Sequence, residues 1–362
     1  NPGRTCKACS LKMATNRSGG KVIRDPSAGG NDLCPCGSGK KFKQCCYDRQ
    51  VSGQPPPGAR EVLGELRKLV EGRSFGSLEE LQSFTDRFMR QRNQAPLDEF
   101  HGLSPEQMHR ILDFPFDSPE LVTYAQVAGG DPKAPILTLF GLLAKAIGEQ
   151  GLKPTATGNL PRNVCREAAL AYWGDEAYRK ETRFAGINKE DDFSGLHVTR
   201  LVAEQAGLIR KCRGRFILSR ECRTLLDDHG PAGIYPRLLH SYARNYNWAY
   251  RDRYPDLGFI QHSFLFTLYL LNLNGGEWLP EVFYEDAFLR AFPRVLSEVA
   301  PTPYFTPEQT VRSCYTLRTL VNFTVFLGLA EVEPTTKELY NRHYRVRKRP
   351  LLAETVRFHI SK

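Results

Sequence analysis

The sequence predicts a mainly α-helical protein headed by a small cysteine-rich segment. Three observations carry that prediction. Apolar residues recur at helical spacing from residue 60 onward, six of the ten cysteines fall within the first 46 residues, and a Pro/Gly-rich stretch, "DRQVSGQPPPGA" (48–59), separates the two regions. At 362 residues, 41% of them hydrophobic and 11% aromatic, the chain can build more than one core. No window reaches the roughly 18–20 uninterrupted apolar residues of a membrane span. The nearest, "FIQHSFLFTLYLLNLN" (259–274), is cut by Gln261, His262 and Asn272 and reads as a buried helix. With no apolar signal core at its start, a cytoplasmic, bacterial-type protein is the expectation.

Residues 1–31 show no periodicity and are rich in Gly, Ser, Asn and Lys, the composition of a disordered arm. The formal charge of +10 is concentrated nearby, since residues 1–60 carry eleven basic side chains against three acidic ones. Such an arm either draws the chain to nucleic acid, ribosomes or acidic protein surfaces, or serves as a solubilising tail. Cys6 and Cys9 within it form a lone C-x-x-C pair, half of a metal site with no second pair free nearby.

Residues 32–47 hold "DLCPCGSGKKFKQCC", with Cys34, Cys36, Cys45 and Cys46 inside thirteen positions. Clustered thiols without an export signal point to metal rather than disulfides. Four thiolates suit one tetrahedral zinc ion in a closed, structural site, and Gly37, Ser38 and Gly39 let the backbone turn so that both pairs reach it. The site would have no open position for a substrate. Lys40, Lys41, Lys43 and Arg49 lie beside the thiolates and either offset their negative charge or meet an acidic or phosphate-bearing partner.

This stretch resembles the SEC-C metal-binding motif, found at the end of the preprotein translocase SecA and in uncharacterised bacterial proteins. The likeness rests on Cys34, Cys36, Ser38, Gly39, Cys45 and the closing Cys46, where family members have Cys or His. Tyr47 stands where the family often has glycine. The resemblance implies zinc and a protein or ribonucleoprotein contact, because the translocase module meets a chaperone and the ribosome. It lends no reaction, and it covers only about fourteen residues. The rest of the chain resembles other uncharacterised SEC-C-containing bacterial proteins.

After the linker, residues 60–133 read as a helical region. Val62, Leu66, Leu69 and Val70 mark one helix, Ser77 with Glu80 a capping box before a second, and Ser104, Pro105 and Gln107 the start of a third. Residues 113–133, rich in Pro and Gly, read as an irregular connection. In residues 134–228 the order is a strongly apolar helix stopped by Gly151, an extended "LKPTATGNL", and a helix opening on Pro161. A polar insert (174–193), a helix ending on Gly207, and two short strands about Arg213-Gly214 follow. Helix, strand, helix, helix, hairpin is the order of a winged-helix domain, whose third helix can enter the major groove while the hairpin touches the backbone. Residues 229–362 are expected to form an aromatic-rich helical domain in which those aromatics are mostly core. It ends in helix, strand, turn and basic strand, the outline of a second winged-helix-like unit.

Candidate contacts to nucleic acid in the first winged helix are Arg200 on the third helix and Arg210, Lys211, Arg213 and Arg215 on the hairpin, joined by Arg220 and Arg223. The third helix places Leu196, Val198, Leu201, Val202 and Ala206 toward the core and leaves His197, Thr199, Arg200 and Glu204 outward. Glu190-Asp191-Asp192 is read as serving that helix's N-terminal dipole. No phosphate-binding glycine loop, nucleophile elbow or metalloprotease-type histidine pair is present in the sequence. The expectation is therefore a non-enzymatic zinc protein contacting nucleic acid or a ribonucleoprotein. A protein–protein adaptor with a structural winged helix, and an enzyme with its site in the C-terminal half, stand as alternatives.

Overall fold

The computed structural model describes residues 57–129, 132–336 and 343–360. The zinc-ligand candidates Cys34, Cys36, Cys45 and Cys46, the neighbouring Lys40, Lys41, Lys43 and Arg49, and the Cys6-Cys9 pair lie outside the described residues, as does Arg342. The expected mainly α composition holds, with short sheets between the helices. The described residues fall into two compact units, divided between Met89 and Arg90.

In the first unit, α1 (Pro57–Val70) starts at a proline rather than at residue 60, and α2 (Leu78–Gln94) follows. The Ser77 hydroxyl accepts from the Glu80 N–H at 3.2 Å, but the Glu80 carboxylate turns to the Gly76 N–H at 2.7 Å, so the box is closed one residue early. Phe75 and Phe84 pack at 5.6 Å, and the Arg73 guanidinium lies over the Phe84 ring.

In the second unit, α3 (Pro105–Asp113) opens on a complete capping box of Ser104 and Gln107, as its sequence predicts. The connection after it contains a strand that its Pro/Gly content concealed. That strand, β1 (Val122–Tyr124), pairs antiparallel with the last strand of the chain, Val356–Phe358.

Next comes α4 (Pro135–Ile147), which ends at Gly148 rather than at Gly151. Gly151 is needed for a different reason. Its φ is +75°, and a Cβ there would sit 2.8 Å from the Phe216 carbonyl oxygen, where Leu152 forms an antiparallel bridge to Phe216. The next helix, α5 (Arg162–Thr182), runs on into the first nine residues of the expected polar insert. Gly174, at φ 74° and ψ 169°, kinks it in a region open essentially to glycine alone, and the helix resumes on the far side. A 3₁₀ turn (Glu190–Asp192) leads into α6 (Ser194–Gln205), followed by the hairpin β2 (Ile209–Cys212) and β3 (Arg215–Leu218). Ser219 caps α7 (Arg220–His229), and α8 (Pro231–Arg244) lies against α6, with the Ser241 hydroxyl on the Val202 carbonyl at 3.1 Å.

The C-terminal half repeats this plan. After α9 (Gly258–His262) come α10 (Phe264–Asn274), β4 (Leu279–Pro280), α11 (Glu281–Ala291) and α12 (Pro307–Tyr315). The last of these continues as a ten-residue π-helix (Thr316–Val325). Then β5 (Ala330–Pro334) and β6 (Tyr344–Lys348) form a second hairpin, before α13 (Pro350–Thr355) and β7 (Val356–Phe358). In both halves the segment after the first helix pairs with the second strand of the hairpin, as a single bridge from Leu152 to Phe216 in one and as β4 with β6 in the other. A Leu-Pro pair, Leu160-Pro161 or Leu279-Pro280, opens the second helix each time.

The aromatic residues of the C-terminal half are largely core. Tyr242, Tyr246, Trp248, Phe264, Phe288 and Phe323 are all buried, with Trp248 and Phe323 ring centroids 4.7 Å apart. Tyr250, at 79% exposed, is an exception.

Candidate nucleic-acid interface

The β2–β3 hairpin reverses through Arg213 (φ 48°) and Gly214 (φ 72°), the double positive-φ turn that matches the twist of two paired strands. Between residues 205 and 220 there is no acidic residue. Arg210, Lys211, Arg213 and Arg215 are all exposed. Arg215 donates to the Gly151 carbonyl at 2.9 Å, and the Lys211 ammonium rests 5.1 Å from the centre of the buried Phe216 ring. The Arg210 and Arg213 side chains make no hydrogen bond or ion pair among the described residues. Arg220 and Arg223, on the first turn of α7, are exposed as well. A ribbon of unneutralised cations on a rigid hairpin is suited to phosphate contact, since each charge stays hydrated until a polyanion replaces its counterions.

Arg200 does not join them. The sequence places it near the surface of the third helix, but only 4% of it is exposed. Its Nε donates to Glu190 Oε1 at 2.6 Å and its Nη1 to Glu204 at 2.7 Å, while the guanidinium carbon lies 5.5 Å from the Phe216 ring centre. Thr199 is also buried, its hydroxyl returned to the Gly195 carbonyl, and His197 is turned onto Glu190 at 2.8 Å. Arg200 is enclosed by the Glu190 turn and the Phe216 ring of β3, while α4 and α8 also pack against α6.

Glu190 is the organising residue that the sequence reading missed. It is 1% exposed, and its second oxygen accepts from the Leu160 N–H at 2.6 Å, tying the entry of α5 to α6. Burial pushes its carboxyl pKa up, but the hydrogen bonds from His197, Arg200 and Leu160 outweigh this and hold it below the usual range. The neighbouring Asp192 turns back to accept from the Asn188 and Lys189 N–H groups, ahead of the 3₁₀ turn, so it does not cap the first turn of α6.

The second hairpin has the opposite character. Arg345 pairs with Glu333 at 3.0 Å and Arg347 with Glu331 at 2.6 Å, and both guanidinium groups lie over Trp278. Lys348 donates to the Asn272 carbonyl and Arg349 to the Lys133 carbonyl. Arg345 and Arg347 are therefore charge-paired within their own sheet, whereas Lys348 and Arg349 meet neutral carbonyls.

Titratable groups gather at an open groove of about 410 Å³ lined by Asp113, Phe116, Arg244 and His262. Asp113 faces His109 at 2.6 Å and His262 at 3.3 Å, with Asp113 and His262 both more than two-fifths exposed. These groups keep their water, and no closed catalytic constellation forms around them. Among the described residues no group of three or more His, Cys, Asp or Glu side chains could hold a metal ion, and no helix is long and apolar enough to cross a membrane.

Comparison with known proteins bears on two stretches. The SEC-C motif family matches residues 31–48, and the Y4jL N-terminal domain family matches residues 133–231, the span from the start of α4 to the start of α8. The first stretch is similar to protein translocase subunit SecA 1 of Alkaliphilus metalliredigens, at 58% identity over 31 residues, 9% of this chain and 4% of that protein. It is likewise similar to protein translocase subunit SecA of Clostridium perfringens, 68% over 25 residues (7% and 3%), and of Nitratidesulfovibrio vulgaris, 73% over 22 residues (6% and 3%). The likeness thus spans a small fraction of those proteins. No solved structure matches the chain. The chain carries a SEC-C motif at residues 31–48 and a stretch similar to the Y4jL N-terminal domain at residues 133–231.

Proposed function

We propose that this chain is a non-enzymatic, zinc-bearing cytoplasmic protein that contacts nucleic acid, free or within a ribonucleoprotein. In this reading Cys34, Cys36, Cys45 and Cys46 hold one structural zinc ion, and the basic arm with Lys40, Lys41, Lys43 and Arg49 adds long-range attraction. Four thiolates are a donor set that zinc accepts, and the SEC-C match covers all four. Residues 134–228 act as a winged helix whose wing is the β2–β3 hairpin. Arg200 has no part in the contact, because its charge is spent internally.

The observation that carries the proposal is the hairpin itself, with four exposed cations, no acid, and a counterpart in the second half of the chain whose arginines are paired. A direct test measures fluorescence anisotropy of a labelled 20-base-pair duplex titrated with the full chain, as wild type and as Arg213→Asn/Arg215→Gln. Asn is chosen at position 213 because it tolerates positive φ. Loss of two phosphate contacts lowers the slope of log affinity against log salt by about 1.8. Absent or salt-insensitive binding would favour the protein-adaptor reading.

A further inference from the structure

Winged-helix geometry offers two ways to hold a duplex, a helix in the groove or a hairpin on the backbone, and here the two are unequally equipped. Six of the twelve residues of α6 are buried, among them Thr199 and Arg200 at its middle. His197 is held by Glu190 and Asp191, and Glu204 by Arg200. Ser194 and Gln205, at opposite ends, are the exposed polar side chains left over. The bidentate contacts that best distinguish bases come from arginine, lysine, asparagine or glutamine, and the middle turns of α6 expose none of these.

The hairpin carries charge but no platform for bases. Its single aromatic, Phe216, is fully buried beneath Arg200 and Lys211. Binding of unpaired bases draws on stacking against exposed rings, worth about 1–3 kcal/mol per base, which this surface lacks. The second half of the molecule offers no alternative reader. Arg318, on its third helix, is buried in a bidentate pair with Asp252 at 2.8 Å, and its hairpin arginines are neutralised.

Resting on the nucleic-acid reading above, we propose that the β2–β3 hairpin and the first turn of α7 hold double-stranded nucleic acid by its phosphates alone, without regard to sequence, and that no helix among the described residues enters a groove. The contact set is Arg210, Lys211, Arg213 and Arg215, extended by Arg220 and Arg223.

The test uses the full chain against two 20-base-pair DNA duplexes of unrelated sequence and one 20-nucleotide single strand, at 50 and 200 mM salt. The duplexes are expected to agree within about threefold and the single strand to bind several-fold more weakly, there being no stacking to compensate its lower charge density. Four phosphate contacts at the hairpin account for a loss of roughly 150-fold across this salt range, and Arg210→Ala/Arg213→Asn should remove about 12-fold of that. The basic arm contributes equally to wild type and variant, so the difference isolates the hairpin. Arg210→Gln alone, at an ordinary strand position, gives the same change at half the slope if the double variant melts early. A tenfold preference for one duplex, or equal affinity for the single strand, would overturn the inference while leaving nucleic-acid binding intact. Unchanged salt dependence in both variants would overturn the underlying reading as well.

Discussion

Replacing Glu190 by Gln should be among the most damaging single changes in the second unit, although it alters one atom. The carboxylate accepts three hydrogen bonds shorter than 3 Å, from His197, Arg200 and Leu160, and almost none of it meets water. The amide keeps one acceptor oxygen but turns an NH₂ toward donors, and leaves the Arg200 charge, 5% exposed, with Glu204 alone. Breaking a buried ion pair from one side costs about 3–5 kcal/mol, and the surviving Glu204 contact places this case near 3. In a unit of this size that is a fall of about 6–9 °C in Tm, read by circular dichroism or calorimetry at pH 7. The partly exposed partner gives the control, with Glu204→Gln costing less than about 1 kcal/mol. Because the folded pKa of Glu190 lies below its ordinary value near 4.5, its contribution is complete above that pH and fades as pH falls through the folded pKa. The gap between wild type and variant should therefore be flat from pH 6 to 8 and close on acidification. A loss under 1 kcal/mol, or one equal to that of Glu204→Gln, would show that Arg200 has another means of support.

Glu285 should respond in the opposite sense. Burial raises its carboxyl pKa despite the Thr316 hydroxyl at 2.6 Å and Arg312, so its charge opposes folding as pH rises from about 4.5 through the folded pKa. Glu285→Gln should then be as stable as wild type or more so at pH 7, measured by urea unfolding; a loss above 1 kcal/mol would contradict this. Gly174→Ala, forced into φ 74° and ψ 169°, should cost about 1–3 kcal/mol in the same assay. Purified chain should contain one zinc ion by elemental analysis, falling toward none in Cys34→Ser/Cys36→Ser. Chelation should leave the main melting transition in place, since binding of about 10–16 kcal/mol folds the knuckle and the "SGQPPPG" linker separates it from the remainder. A main transition lowered by chelator would mean that the knuckle is docked.

What the sequence disclosed follows from where its information was local. The Ser104 capping box, the Arg213-Gly214 turn and the helix ending before Gly207 depend on residues a few positions apart, and each is found where its residues place it. Gly174 was legible as a boundary but not as a kink, because whether a helix resumes beyond a glycine depends on what the next turn can pack against. The strand β1 was hidden because its partner lies more than 230 residues away. The failure at Arg200 has the same origin. Helical periodicity ranks faces by hydrophobicity and so puts an arginine outside, whereas a carboxylate ten residues earlier and the Phe216 ring sixteen residues later put it inside. The hairpin cations escaped this error, because a two-residue turn between short strands leaves its side chains in solvent whatever packs elsewhere.

The claim that nucleic acid lies on this hairpin can be tested at Cys212. Its thiol is exposed on β2, opposite Arg215, whereas Cys165, Cys222 and Cys314 are buried. Alkylation of the native full chain, followed peptide by peptide by mass spectrometry with and without saturating duplex at low salt, reports directly on that surface. The rate at Cys212 should fall several-fold when duplex is bound. An unchanged rate at Cys212, with anisotropy showing the duplex fully bound, would place the contact elsewhere.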